Sequence, residues 1–169
     1  MPVCIAWFGE SICVGYQRKA YYLVNSVSGV AVELDLPAVQ PNIPPFVKVI
    51  DEYFYCLWGS NLLIPFEAYD GGKALKSPIS TTESGRLIGI SYNYPYIVIM
   101  MDTGLEIYNV DDTNHIQTEN YVHGSSGVSI SSQVQPIVYA TTFSIHALRP
   151  IPVSEQIKHL LQECKIAEA

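Results

Sequence analysis

The feature that most restricts this chain is a repeat. The stretch Ser11-Ile-Cys-Val-Gly-Tyr-Gln-Arg-Lys-Ala-Tyr-Tyr-Leu-Val24 reads as two strands joined by a basic turn. Similar units follow at Phe54–Phe66, Tyr96–Tyr108 and Pro136–Leu148. Their starts, at positions 12, 54, 96 and 136, lie 42, 42 and 40 residues apart. A period of about 40–45 residues with several short strands per period is the pattern of β-propeller blades. The rest of each period agrees. A short apolar run precedes each hairpin, at Val3–Ala6, Phe46–Ile50, Arg86–Ile90 and Gly127–Ile130. A turn and an outer strand follow the first three, predicted at Val30–Leu34, Lys73–Leu75 and His115–Thr118. The turns before these strands are built from Ser28-Gly29, Asp70-Gly-Gly72 and Asp111-Asp-Thr-Asn114, residue types that accept turn conformations. The expected fold is therefore all-β: about four four-stranded antiparallel blades, the last one incomplete, with a C-terminal amphipathic helix.

The sheet pattern stops at Arg149-Pro-Ile-Pro-Val-Ser154, where Ser154 is placed to cap a helix from Glu155. Ile157, Leu160, Leu161 and Cys164 then recur at helical spacing on one face. The helix either docks on the last blade or opens a helical region. The reading divides the chain into a partial propeller over 1–151 and the start of a helical segment over 152–169.

Composition narrows the function. The chain has 169 residues, a hydrophobic fraction of 49% and a charged fraction of 15%, values of a globular, strand-rich protein. A net charge of −7 argues against nucleic acid as a partner, because phosphate binding needs a basic footprint. No apolar run, Ile97–Met101 included, is long enough to span a bilayer as a helix, and the N-terminus lacks the pattern of a signal peptide. Cys4, Cys13, Cys56 and Cys164 form no C-x-x-C pair, so reduced thiols are expected, with no metal and no cofactor.

Catalytic motifs are absent on inspection. Gly71-Gly-Lys-Ala74 lacks the first glycine and the final Ser or Thr of a phosphate loop, and reads as a hairpin turn. His123-Gly-Ser-Ser-Gly127 does not satisfy G-x-S-x-G and reads as an inter-blade loop. The adjacent acids Asp51-Glu52 and Asp111-Asp112 are placed in turns, and His146 in a strand as a hydrogen-bonded packing residue. The chain is not expected to be an enzyme. A hydrolase with carboxylates in a central channel is the contrasting alternative, and the inner strands supply none.

Two mixed spots are candidate partner-binding sites. One is Tyr16, Arg18, Lys19 and Tyr21, and the other is the Tyr92-Asn-Tyr-Pro95 turn with Tyr92 and Tyr94. Tyr and Arg are enriched at protein–protein hot spots.

The residues SICVGYQRKAYYLV, NYPYIVIMMDTGLEIYNVDDTNHIQT and FSIHALRPIPVSEQIKHLLQ together resemble the C-terminal half of the citron-homology (CNH) propeller of vacuolar-sorting (Vam/Vps) tethering subunits of the HOPS type, and next of the TGF-β-receptor-associated subunit of CORVET. The resemblance implies a non-enzymatic interaction module of a membrane-tethering complex, acting in transport and fusion at late endosome, vacuole or lysosome, autophagosome fusion included. It implies other tether subunits and a Rab-type GTPase as partners. Location would be cytoplasmic and peripheral on those membranes, through partners. Regulation of a small GTPase, by exchange or effector binding, is the alternative that it leaves open. In that family the propeller is about twice this length and passes into a helical solenoid, so the chain is expected to be half of a larger ring.

Overall fold

Apolar and aromatic runs separated by Gly-, Asn- and Asp-containing turns make fifteen strands and one helix among the described residues. The protein, in a computed structural model, is described over residues 1–17, 21–36, 44–59, 61–69, 76–82, 85–122, 124–131 and 136–162. The first sheet contains β1 (Pro2–Phe8), β2 (Ser11–Tyr16), β3 (Tyr21–Asn25) and β4 (Ala31–Glu33). The second contains β5 (Val47–Ile50), β6 (Tyr53–Trp58), β7 (Leu62–Glu67) and β8 (Ile79–Ser80). The third contains β9 (Leu87–Asn93), β10 (Tyr96–Met101), β11 (Gly104–Asn109) and β12 (His115–Asn120). The fourth contains β13 (Gly127–Ile130), β14 (Ile137–Thr141) and β15 (Ile145–Leu148). Within each sheet, strands pair antiparallel in chain order, so each sheet is one up-and-down blade.

The expected architecture of four blades, the last with three strands, stands. One local expectation, the start of the helix, does not. The second blade's described outer strand is β8, because Leu62 and Leu63 pair with Ser80 and Ile79. The predicted strand at 73–75, like the turn at 70–74, lies outside the described residues. The helix α1 (Val153–Gln162) begins two residues before the predicted Glu155. The carbonyl of Pro152 accepts the amides of Glu155 and Gln156, so the first turn is closed from Pro152, not from a Ser154 cap.

The blades join face to face. Three apolar cores do this, one for each successive pair of sheets. Cys13, Tyr21 and Leu23 of the first meet Val47, Phe54, Cys56 and Phe66 of the second. On the second sheet's other face, Tyr55, Leu57 and Leu63 meet Ile97, Ile99 and Met101 of the third. The third's opposite face carries Val98, Met100 and Leu105 against Ile137 and Tyr139. Strand alternation explains the sorting, since neighbours in a strand point to opposite faces. Phe54 and Cys56 look one way, Tyr55 and Leu57 the other.

A few polar ties cross each junction. The Tyr21 hydroxyl lies 2.9 Å from the carbonyl oxygen of Leu57 and accepts the amide of Phe46 at 3.0 Å. Between the second and third blades the fully buried carboxylate of Glu106 accepts the amide and hydroxyl of Thr82 and, at 2.8 Å, the hydroxyl of Tyr108. Between the third and fourth, the Gly127 amide donates to the Asp102 carbonyl. A Cβ at Gly127 would lie 2.4 Å from the Met101 carbonyl oxygen, so this close approach requires glycine. Cys13 and Cys56 are free thiols in the first junction, sulfurs 3.8 Å apart, with Cys4 beside them. Burial pushes the Cys4 and Cys56 thiols up. Cys164 lies outside the described residues.

Two outcomes follow from these buried polar groups. Glu106→Ala leaves the Thr82 amide without an acceptor and the Tyr108 hydroxyl with only the Ser80 carbonyl, and is expected to cost roughly 2 kcal/mol. Ile116→Ala, on the exposed outer strand β12, should stay within about 0.5 kcal/mol. Urea midpoints at unchanged slope measure both. Burial also raises the pKa of Tyr21, Tyr55 and Tyr108, with a nearby carboxylate adding to the effect at Tyr55 and Tyr108. A phenol held neutral in the fold but ionised in the unfolded chain leaves stability intact below the ordinary tyrosine value of about 10 and removes it as pH rises beyond. The melting temperature is expected to fall above about pH 10. Tyrosinate absorbance from these residues should appear only as the protein unfolds.

Candidate interaction site

The blades bring distant turns together at one rim. Here the β5–β6 turn (Asp51, Glu52), the β9–β10 turn (Tyr94, Pro95) and the β11–β12 loop (Val110–Asn114) meet. The amide of Val110 donates to the carbonyl of Pro95, and Ile50 and Val110 pack in one core beneath. Asp51 takes a left-handed conformation (φ 51°), which a short acidic side chain tolerates in a tight turn.

The two tyrosines singled out in the sequence lie on this rim, each with a carboxylate. Tyr94 is 67% exposed and donates to Asp111 Oδ2 at 3.0 Å. That bond to an anion holds its pKa above the ordinary tyrosine value. Tyr92 is half-buried. Burial first, and its hydrogen bond with Asp51 second, raise its pKa. Beside them, Lys76 places its ammonium 4.4 Å from the centroid of the Tyr53 ring. The rim thus offers aromatic faces and hydrogen-bonded carboxylates, and already holds one cation against a ring. Asn109 and Asp112 fix the loop by accepting the amides of Asp111 and Asn114. The acidic pairs lie in turns, as the sequence suggested. Their approach to the tyrosines is not legible in any local window of the sequence. The usable signal was that Asp51 and Asp111 both occupy inter-strand turns of neighbouring repeats.

The other spot divides. Tyr16 packs edge-on against Tyr22, ring centroids 5.4 Å apart, and Tyr22 donates to Glu33 Oε2 at 2.9 Å. Tyr21 is a correction: it is fully buried in the first junction, because it follows the opposite strand parity from Tyr22. Arg18 and Lys19 lie outside the described residues, as does His123. His146 stacks on Tyr139 at 4.9 Å and hydrogen-bonds Ser144, the packing role expected of it, at an exposed position.

Inner strands β5, β9 and β13 line a groove of about 270 Å³. Its walls are Phe46, Val47, Ile88, Gly89, Ile90, Val128, Ser129 and Ile130, with Lys48 as the ionisable residue. Among the described residues no group of His, Cys, Asp and Glu could hold a metal ion, and no helix is long and apolar enough to cross a membrane.

No protein-family profile matches the sequence. Individual proteins do. The human (Homo sapiens) transforming growth factor-beta receptor-associated protein 1 is 26% identical over 168 residues, 99% of this chain and 19% of that protein. The Vam6/Vps39-like protein of Mus musculus is 25% identical over 164 residues, 96% of this chain and 18% of that protein. The chain therefore spans about a fifth of the length of the curated relatives it matches. Among solved structures, the computationally designed Ika4 protein superposes with a TM-score of 0.68 at 8% identity, covering 88% of this chain and 90% of that one. The Neurospora crassa Pan2 WD40 domain gives 0.63 at 14% identity, with 89% and 47% covered. The AfRom2 CNH domain gives 0.56 at 15% identity, with 89% and 51% covered. These likenesses show the fold. The chain is a run of four β-propeller blades, related along almost its whole length to transforming growth factor-beta receptor-associated protein 1 and Vam6/Vps39-like protein.

Proposed function

We propose that this chain is a non-enzymatic protein-interaction module of a membrane-tethering complex in vesicle transport. The observation that carries the proposal is sequence similarity to two related proteins over nearly every residue of the chain, through blades, loops and terminal helix alike. The finer reading follows the same resemblance. The module serves fusion at late endosome, vacuole or lysosome, autophagosome fusion included. It binds other tether subunits and a Rab-type GTPase, and meets membranes only through them.

The physical means is a rigid scaffold with loops at one rim. Asp51, Tyr92, Tyr94 and Asp111 present rings and carboxylates on turns anchored by the second junction. With a net charge of −7, the chain suits a partner surface bearing Lys or Arg. The groove between inner strands, walled by aliphatic residues with Lys48, favours this reading over a channel hydrolase, which needs carboxylates there.

Binding of the chain to purified tether subunits, and to a panel of Rab-type GTPases loaded with GTP or GDP, tests the proposal. At least one saturable interaction is expected. Tyr94→Ala and Asp111→Ala should each weaken it by roughly tenfold, a loss of about 1.4 kcal/mol, with the melting temperature unchanged. Hydrolytic turnover of generic ester or glycoside substrates, with no binding to any of these partners, would sink it.

A further inference from the structure

Two buried thiols from different blades touch. Cys13 of β2 and Cys56 of β6 are both fully buried in the first junction, with their sulfurs 3.8 Å apart. Strand parity explains why they meet. Equivalent positions of the first two blades lie 42 residues apart and look the same way around the arc, so the counterpart of Cys13 is Tyr55, which faces the third blade. Cys56 is one residue further along. That single step turns its side chain back toward the first blade and onto Cys13. Cys4 of β1 shares this junction but stands to one side. It is half-buried and fills the space over Gly15, where a Cβ would come within 2.6 Å of its sulfur. Register pairs Cys4 with Gly15 and Ala6 with Cys13, so Cys4 is diagonal to Cys13 within one sheet. By contrast β2 and β6 belong to separate sheets, and no backbone ladder fixes the distance between them. Hydroxyl groups tie this junction, Ser11 to the Ala68 carbonyl and Tyr21 to the Leu57 carbonyl.

We propose that Cys13 and Cys56 are an oxidation site, at which a peroxide links the first blade to the second through a disulfide. One cysteine sulfur attacks an oxygen of hydrogen peroxide. The O–O bond breaks, the sulfur becomes a sulfenic acid, and water leaves with the thiol proton. The other sulfur then attacks the sulfenic sulfur. The S–S bond forms, the S–OH bond breaks, and the departing hydroxide takes the second thiol proton as water. In sum, two thiols and one peroxide give one disulfide and two waters: the sulfurs lose two electrons and the peroxide oxygens gain them. Bond formation brings the sulfurs from 3.8 Å to about 2.0 Å. Rotation about the two Cα–Cβ bonds and a small approach of the sheets supply that closure, since side chains alone separate the two strands. Burial pushes the Cys56 thiol well up. Only the thiolate is a good nucleophile, so the pair resists brief exposure and yields to sustained oxidant. The bond joins residues 43 positions apart, which restricts the unfolded chain and thereby stabilises the fold.

The full chain is held with hydrogen peroxide under native conditions, remaining thiols are alkylated, and the peptides are mapped by mass spectrometry. The expected product is a single chain lighter by the hydrogens lost, carrying a Cys13–Cys56 linked peptide. Its melting temperature should lie about 5 °C above that of the reduced chain, and a thiol reductant should reverse both changes. Cys13→Ala and Cys56→Ala should each abolish the link and the rise, whereas Cys4→Ala should keep them. Thiols left unmodified after prolonged exposure would overturn the proposal. So would a link through Cys4 or Cys164, sulfinic acids in place of a link, or the same mixture of links from the native and the urea-unfolded chain. Should an alanine variant fail to fold, the peptide map of the unaltered chain still identifies the bonded pair.

Discussion

The constraint on which this structure rests is that each sheet is held to the next by the face it buries against it. Backbone hydrogen bonds are satisfied strand to strand inside a blade, so nothing in the ladders attaches one blade to the next. Attachment comes chiefly from side chains, with a main-chain tie such as Gly127 to Asp102, and alternation makes this feasible: one strand such as Tyr53–Trp58 serves two cores at once. Removing apolar area from water stabilises by about 25 cal/mol per Å², so two-faced strands do most to hold the arc together. It also makes the arc nearly one-dimensional, because each blade depends on its immediate neighbours.

That arrangement positions the candidate site. The rim tyrosines stand on turns whose flanking strands are buried in the junction of blades two and three, with Ile50 and Val110 beneath them. Aromatic rings on such turns lose little freedom when a partner arrives, which favours recognition. The carboxylates beside them perform two tasks, orienting the phenol groups and lending negative charge to the surface. Polar ties at the other junctions, such as the Tyr21 hydroxyl on the Leu57 carbonyl, serve rigidity and lie away from solvent.

Much of this was legible before any coordinates. The period near 42 residues, the hairpins and the inner strands were visible because each blade carries the same order of apolar runs and turn residues. The described outer strand of the second blade, Ile79–Ser80, was not anticipated because two residues carry too little pattern to register. Helix onset at Pro152 was missed because Ser154 offered a more conventional cap. Tyr21 and Tyr22 could not be told apart by residue type. Only the pairing of Gly15 with Tyr21 decides which ring is buried. The convergence of Asp51 on Tyr92 was hidden for a different reason: it depends on how two blades stack, and no local window of sequence contains that.

Glu106 illustrates how such stacking ties one blade's side chains to its neighbour's backbone. Its carboxylate completes the hydrogen bonding of Thr82, which belongs to the neighbouring blade, while Tyr108 of its own strand closes the set. Positions 82, 106 and 108 are therefore one physical unit: a change at any of them leaves polar groups of the others to be satisfied anew. Blades may look like interchangeable copies of one repeat, yet this lock gives each junction its own address. A blade moved to another place in the order would carry half of a key.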